Sequence, residues 1–84
     1  IEENEYAMAN ASLFPNPVED RLSLQLSGNV SCKNVGIYGI DGRLLKSQND
    51  DFENIDVSAL PTGLYIAKIN LNDGTMFTEK VVVK

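Results

Sequence analysis

The 84 residues suit one domain, and a chain this short buries only roughly 60–65% of its unfolded surface, leaving a thin core and no deep catalytic cleft. Lys and Arg number 7 against 12 Asp and Glu, a net charge of −5, which argues against nucleic acid because that binding needs clustered basic side chains. With no His, the commonest general base and transition-metal ligand is missing, so neither an enzyme, a cofactor nor a metal centre is expected.

Taken from the start, Ile1-Glu2-Glu3-Asn4-Glu5 is the opposite of a secretory signal, and no apolar run approaches the ~20 residues that span a bilayer. Without an initiator Met, the chain is expected to be a piece of a longer protein. Residues 1–12 turn from acidic to Ala-rich with no strand alternation, which reads as a linker, and the domain is expected from Leu13 to Lys84. Leu13-Phe14-Pro15-Asn16-Pro17-Val18 loses two backbone donors to proline, which excludes a helix and fits a short edge strand followed by a turn.

Asp20-Arg21-Leu22-Ser23-Leu24-Gln25-Leu26 alternates cleanly, with the three leucines on one face. After the Ser27-Gly28-Asn29 turn, residues 33–40 form another strand with Val35 and Ile37 inward and Tyr38 partly outward. Asp41-Gly42 predicts a two-residue hairpin with positive φ at both positions, returning through residues 43–48. The acidic connection Asn49-Asp50-Asp51-Phe52-Glu53 carries one aromatic that can tuck under the sheet.

The most patterned stretch runs from Asn54 to Leu71. Ile55 and Val57, then Tyr65, Ala67, Ile69 and Leu71, mark two strands, while Ser58, Pro61 and Gly63 supply the corner between them. Asn72-Asp73-Gly74 is a second hairpin turn, and residues 75–84 form the last strand. There Glu79 shares a face with Phe77, Val81 and Val83, and a bulge near Glu79 would repair the alternation. About seven short strands with turn signals every 8–12 residues predict an all-β fold, a small antiparallel Ig-like β-sandwich closed by its C-terminal strand.

Local motifs have plainer readings. Leu60-Pro61-Thr62-Gly63 lacks one residue of the Leu-Pro-x-Thr-Gly sortase signal and reads as a corner. Asp41, Asp50, Asp51, Glu53, Asp56 and Asp73 lack calcium-loop spacing and read as solvated turn carboxylates. Paired carboxylates for glycoside hydrolysis have no evident apolar pocket to raise a pKa. Asn10-Ala11-Ser12 and Asn29-Val30-Ser31 match the short Asn-x-Ser glycosylation pattern, which arises often by chance. Cys32 has no internal partner and reads as an incidental loop or strand-edge residue.

Separated features in order carry a resemblance: Leu13-Phe14-Pro15-Asn16-Pro17, Leu22-Ser23-Leu24, Val35-Gly36-Ile37-Tyr38, Asp41-Gly42-Arg43-Leu44-Leu45, Ile55 through Ile69, and Gly74 leading to Lys80-Val81-Val82-Val83-Lys84. Together they resemble the C-terminal sorting domain, type A, of the type IX secretion system of Bacteroidetes. The resemblance implies a non-catalytic address on an N-terminal cargo that passes through the periplasm and is directed by the outer-membrane translocon to the cell surface or medium. It further implies a sortase-like peptidase that cuts in the linker, for which Ala7, Met8, Ala9, Asn10, Ala11 and Ser12 are the expected zone.

The resemblance makes Gly63, Tyr65, Lys80, Val81, Val82, Val83 and Lys84 the expected recognition residues. Pro15, Asn16, Pro17, Asp41, Gly42 and Gly74 are expected to set turns, although Gly63 and Gly42 can equally be conformational. Cys32 falls outside the family pattern and offers disulfide-linked dimers during purification. The alternative is a carbohydrate- or protein-binding sandwich of a secreted protein. Without Trp, and with its three Tyr spread apart, the chain offers no evident aromatic platform for sugars.

Overall fold

A computed structural model describes residues 10–28 and 30–84. Its seven strands are β1 (Asn10–Phe14), β2 (Arg21–Ser27), β3 (Cys32–Tyr38), β4 (Leu44–Gln48), β5 (Ile55–Asp56), β6 (Gly63–Leu71) and β7 (Met76–Val83). They form a three-stranded sheet, β1-β2-β5, and a four-stranded sheet, β4-β3-β6-β7, with every strand pairing antiparallel. The architecture is the expected small β-sandwich.

The period-two alternation explains the core. Leu13 and Leu22 from the small sheet meet Val35, Ile37, Tyr65, Ala67, Ile69, Leu71, Val81 and Val83 from the large one, and Val18, Ile55 and Val57 complete the cluster. Leu24, Leu26 and Phe52 are only half-buried at its margin, so the leucine stripe of β2 reaches the centre at Leu22 alone. Phe52 fixes its loop through its carbonyl, which accepts from Leu24 N at 2.8 Å.

Structure begins earlier than Leu13. Asn10, Ala11 and Ser12 are already in β1, paired with Ser27, Leu26 and Gln25, because Ala11 continues the half-buried side of that strand. The stretch from 54 to 71 also divides differently from a simple strand pair: β5 joins the small sheet through β2, whereas β6 sits between β3 and β7 in the large sheet. The corner at 58–62 therefore carries the chain from one layer to the other.

Both Asp-Gly turns are three-residue loops, not the two-residue hairpin expected at Asp41-Gly42. Gly42 N donates to Gly39 O at 2.9 Å and Gly39 N to Arg43 O at 2.9 Å, while Gly74 N donates to Leu71 O and Leu71 N to Thr75 O in the same pattern. Only the glycines take positive φ, 89° at Gly42 and 91° at Gly74. The aspartates are occupied otherwise: Asp41 Oδ1 accepts from Arg43 N at 3.1 Å and Asp73 Oδ1 from Thr75 N at 2.9 Å. A side chain that satisfies the backbone two residues on removes the need for a second left-handed residue.

No bulge interrupts β7. Its register against β6 runs unbroken from Met76 opposite Asn70 to Val83 opposite Gly63. Glu79 stays on the inner side because its Oε1 accepts a hydrogen bond from Leu13 N, at 2.9 Å, on the edge strand of the opposite sheet. A carboxylate with a backbone donor can remain half-buried where an unpaired one could not.

Candidate recognition surface

The expected recognition residues lie on the β6–β7 ladder and the strap that covers it. Register places Tyr65 opposite Val81 and Gly63 opposite Val83, facing the core, and Leu64 opposite Val82 and Ile66 opposite Lys80, facing outward. Tyr65 is 7% exposed, Val83 2% and Val81 0%. Their side chains are withdrawn from any partner of the folded domain, which separates them from the exposed Lys80, Val82 and Lys84. Gly63 opens β6 at φ 158°, close to full extension.

Tyr65 has a structural task that its position in the sequence hides. Its hydroxyl donates to the carbonyl of Pro61, four residues upstream, across the corner between the layers. A tyrosine near the start of a strand that ties back to the preceding corner is the tyrosine corner of Ig-like sandwiches. Leu60-Pro61-Thr62-Gly63-Leu64-Tyr65 is thus one unit: proline stiffens the turn, glycine opens the strand, and tyrosine locks the carbonyl.

Pro15, Asn16 and Pro17 form a strap from β1 to the outer edge of β7. The Phe14–Pro15 and Asn16–Pro17 peptide bonds are both cis. The Asn16 amide behaves as a strand neighbour in miniature: Nδ2 donates to Lys80 O at 2.8 Å and Oδ1 accepts from Val82 N at 3.0 Å. One residue pair further on, Val18 N donates to Val82 O and Lys84 N to Val18 O, each at 2.8 Å, making a parallel bridge between Val18 and Val83. The strap thus blunts an edge that would otherwise present unpaired backbone.

At the N-terminal end, Asn10, Ala11 and Ser12 of the expected cleavage zone are held in β1, whereas Ala7, Met8 and Ala9 lie outside the described residues, as does Asn29. Asp41, Gly42 and Gly74 sit at the tips of the β3–β4 and β6–β7 hairpins, where their role is the turn geometry already described. Cys32 is half-buried, with Sγ 3.6 Å from the carbonyls of Asn34 and Asn70. Burial pushes its thiol pKa up, which lowers the thiolate fraction that disulfide exchange requires.

Turn carboxylates are tuned by hydrogen bonds. Asp56 lies below the usual carboxylate range because the Ser58 hydroxyl and backbone N–H favour its ionised form, and Asp73 does so through the Thr75 backbone and side chain. Among the described residues, no group of three or more His, Cys, Asp or Glu is placed to hold a metal ion.

Beyond Lys80 and Val82 on β7, the outward face of the large sheet was not singled out by sequence reasoning. The Tyr38 ring lies over Gly36, where an added Cβ would come within 3.0 Å of Cε1, and Leu44 Cδ1 lies beside it at 3.3 Å. Lys68 Nζ sits 4.7 Å from the Tyr38 ring centroid. The pattern that could have revealed this is the outward half of each alternation: Gly36 and Tyr38 on β3, and Leu64, Ile66 and Lys68 on β6.

The model of a secretion system C-terminal sorting domain matches residues 12–84. Ulvan lyase NLR42 of Nonlabens ulvanivorans is 27% identical over 79 residues, covering 90% of this chain and 15% of that relative. The chain thus spans a small part of the relative's length. The match starts within β1 and runs through the strap, the tyrosine corner and β7, so it takes in all of the sandwich except the first two residues of β1. The chain belongs to the family of secretion system C-terminal sorting domains, type IX signals that are not themselves catalytic and that send an attached cargo across the outer membrane to the cell surface or beyond.

Proposed function

We propose that this domain acts as a folded, removable export address: it travels through the periplasm on an N-terminal cargo, engages the type IX translocon, and is cut off by a sortase-like peptidase as the cargo is fixed to the surface. The observation that carries the reading is that the matched residues 12–84 take in one sandwich of two sheets, short only of the first two residues of β1. An address of this kind works through its surface, and the domain has no buried polar or charged residue among those described. The proposed cut lies before Asn10, since a protease needs extended, unpaired backbone and β1 is paired from Asn10 onward.

Of the residues expected to be recognised, Lys80, Val82 and Lys84 are proposed to contact the machinery, while Gly63, Tyr65, Val81 and Val83 shape the strands that present them. The likeness to the ulvan lyase covers this domain alone, so polysaccharide cleavage stays with that relative.

The test is export of a periplasmic reporter fused ahead of residues 1–84 in a type IX-competent cell. The expected result is reporter in the medium or on the surface, with the domain removed from it. A reporter that stays in the periplasm although the fused domain is folded overturns the reading.

A further inference from the structure

The outward faces of the two sheets are made of different chemistry. On the large sheet, Leu44, Leu64 and Val82 are exposed at 50%, 45% and 41%, and the register aligns them with Tyr38 and Ile66 in one diagonal band. A cavity of about 160 Å³ opens in this band between Tyr38, Ile40, Ile66 and Lys68, walled by Gly39 and Gly42. A band of exposed apolar side chains on a small soluble domain marks an interaction site.

Charge on this face has one sign. The outward positions of β3, β6 and β7 include Lys68 and Lys80 and no Asp or Glu, although the chain as a whole carries −5. Among the described residues, the acidic ones sit in the loops and turns at 19, 20, 41, 50, 51, 53 and 73, on the small sheet at Asp56, or turned inward at Glu79. Lys68 is steered by the Tyr38 ring, which holds the ammonium at the cavity rim.

From this arrangement we infer that the outer face of the large sheet is a protein-docking surface, whose partner offers an aliphatic anchor for the Tyr38–Ile66 cavity and carboxylates opposite Lys68 and Lys80. A compact pocket flanked by point charges suits the apolar anchor and polar rim of a protein interface. An anionic membrane fits less well, because two lysines are fewer than the basic cluster that holds a protein on a lipid surface and the net negative charge opposes approach. The inference rests on the export reading and specifies which surface the export machinery holds.

The experiment compares three versions of the full chain fused behind the same reporter: the parent, Lys68→Glu/Lys80→Glu, and Gln25→Glu/Ser27→Glu on the outer face of the small sheet. Thermal unfolding establishes that each is folded, and Leu64→Asn replaces the lysine pair should that variant fail to fold. Expected are parental export by the small-sheet variant and a loss of about tenfold or more in the large-sheet variant, the scale of losing a desolvated charge contact. A folded large-sheet variant exported at the parental level overturns the inference and leaves the export reading standing. Failure of the parent itself removes both. Co-sedimentation with vesicles of equal parts phosphatidylcholine and phosphatidylglycerol, abolished by Lys68→Glu/Lys80→Glu, would reassign the face to lipid and overturn the protein partner.

Discussion

The two sheets meet the same core with different means of support. The large sheet is held by continuous ladders: β6 alone runs nine residues and pairs along both edges, with β3 and with β7. The small sheet pairs β1 with β2 over five residues but has only a two-residue β5 on the other side of β2, where loops and side chains supply much of the cohesion. Leu24 N reaches Phe52 O, Ser23 Oγ donates to Glu53 O, and Val57 N donates to Asp20 O. Three further devices tie it to the large sheet: Glu79 to Leu13 N, Asn16 and Val18 to the edge of β7, and Tyr65 to Pro61. A backbone ladder is indifferent to most outward side chains, whereas a link made by one side chain fails when that side chain goes. Hence the outer face of the large sheet is free to carry recognition chemistry, and the junction between sheets is where single substitutions should do the most damage.

The largest effect is expected from removing residues 81–84. This deletes the buried Val81 and Val83 together with the partners of Val18 and one of the two partners of Asn16, exposing the edge of β6 and the core at once. Loss of the cooperative unfolding transition is the expected outcome, and a truncated domain that still unfolds cooperatively would show that the small sheet does not depend on β7. For the same reason, failed export of such a truncation reports unfolding, not a lost contact.

Tyr65→Phe keeps the ring and removes one hydrogen bond, leaving the Pro61 carbonyl without that donor. The expected loss is about 1–3 kcal/mol, measured by chemical denaturation. Export per folded molecule should be unchanged, because the hydroxyl faces the corner and not a partner. Reduced export at full stability would break the division between shaping and contacting residues.

Asn16→Ala should cost somewhat less, about 1–2 kcal/mol, since its two bonds lie at an exposed edge where water replaces them. Amide hydrogen exchange should quicken first at Val82, whose N–H loses its acceptor. Quickening spread evenly over β3 and β4 would contradict a local strap.

The smallest effect concerns pH. Asp73 has a folded pKa depressed by the Thr75 hydrogen bonds, so its stabilising contribution is complete above the ordinary carboxyl value and is lost as pH falls through the folded one. Stability followed by urea titration should therefore decline slightly below about pH 4, and Asp73→Asn should flatten that part of the profile. A profile unchanged by the substitution would show that the turn does not depend on the ionised carboxylate.

Much of the architecture was legible because strands and tight turns are local. Leu22, Val35, Ile37, Ile55, Tyr65, Ile69 and Val81 all point inward as period-two patterning requires, and both Asp-Gly pairs mark hairpins. The loop at Asp41-Gly42 differs from its expected two-residue form for a local reason, but other features stayed hidden because they depend on residues far apart in sequence. Glu79 looks like a break in a strand until Leu13, 66 positions away, supplies its donor. Asn16 reads as a turn residue until Lys80 and Val82 show what its amide holds. Asn10 to Ser12 look like linker because only pairing with Ser27, Leu26 and Gln25 makes them strand.

By itself, then, the sequence determined an all-β chain, the inward stripe of each main strand, the positions of its hairpins and the resemblance that names its family, since alternation, glycine and proline act within a few residues. Tertiary structure decided which layer each strand joins, which side chains clamp the layers together, and that Tyr65, Val81 and Val83 serve the core while Lys68 and Lys80 share an outer face. Those outcomes arise from side chains meeting across two sheets, a relation that no local pattern encodes.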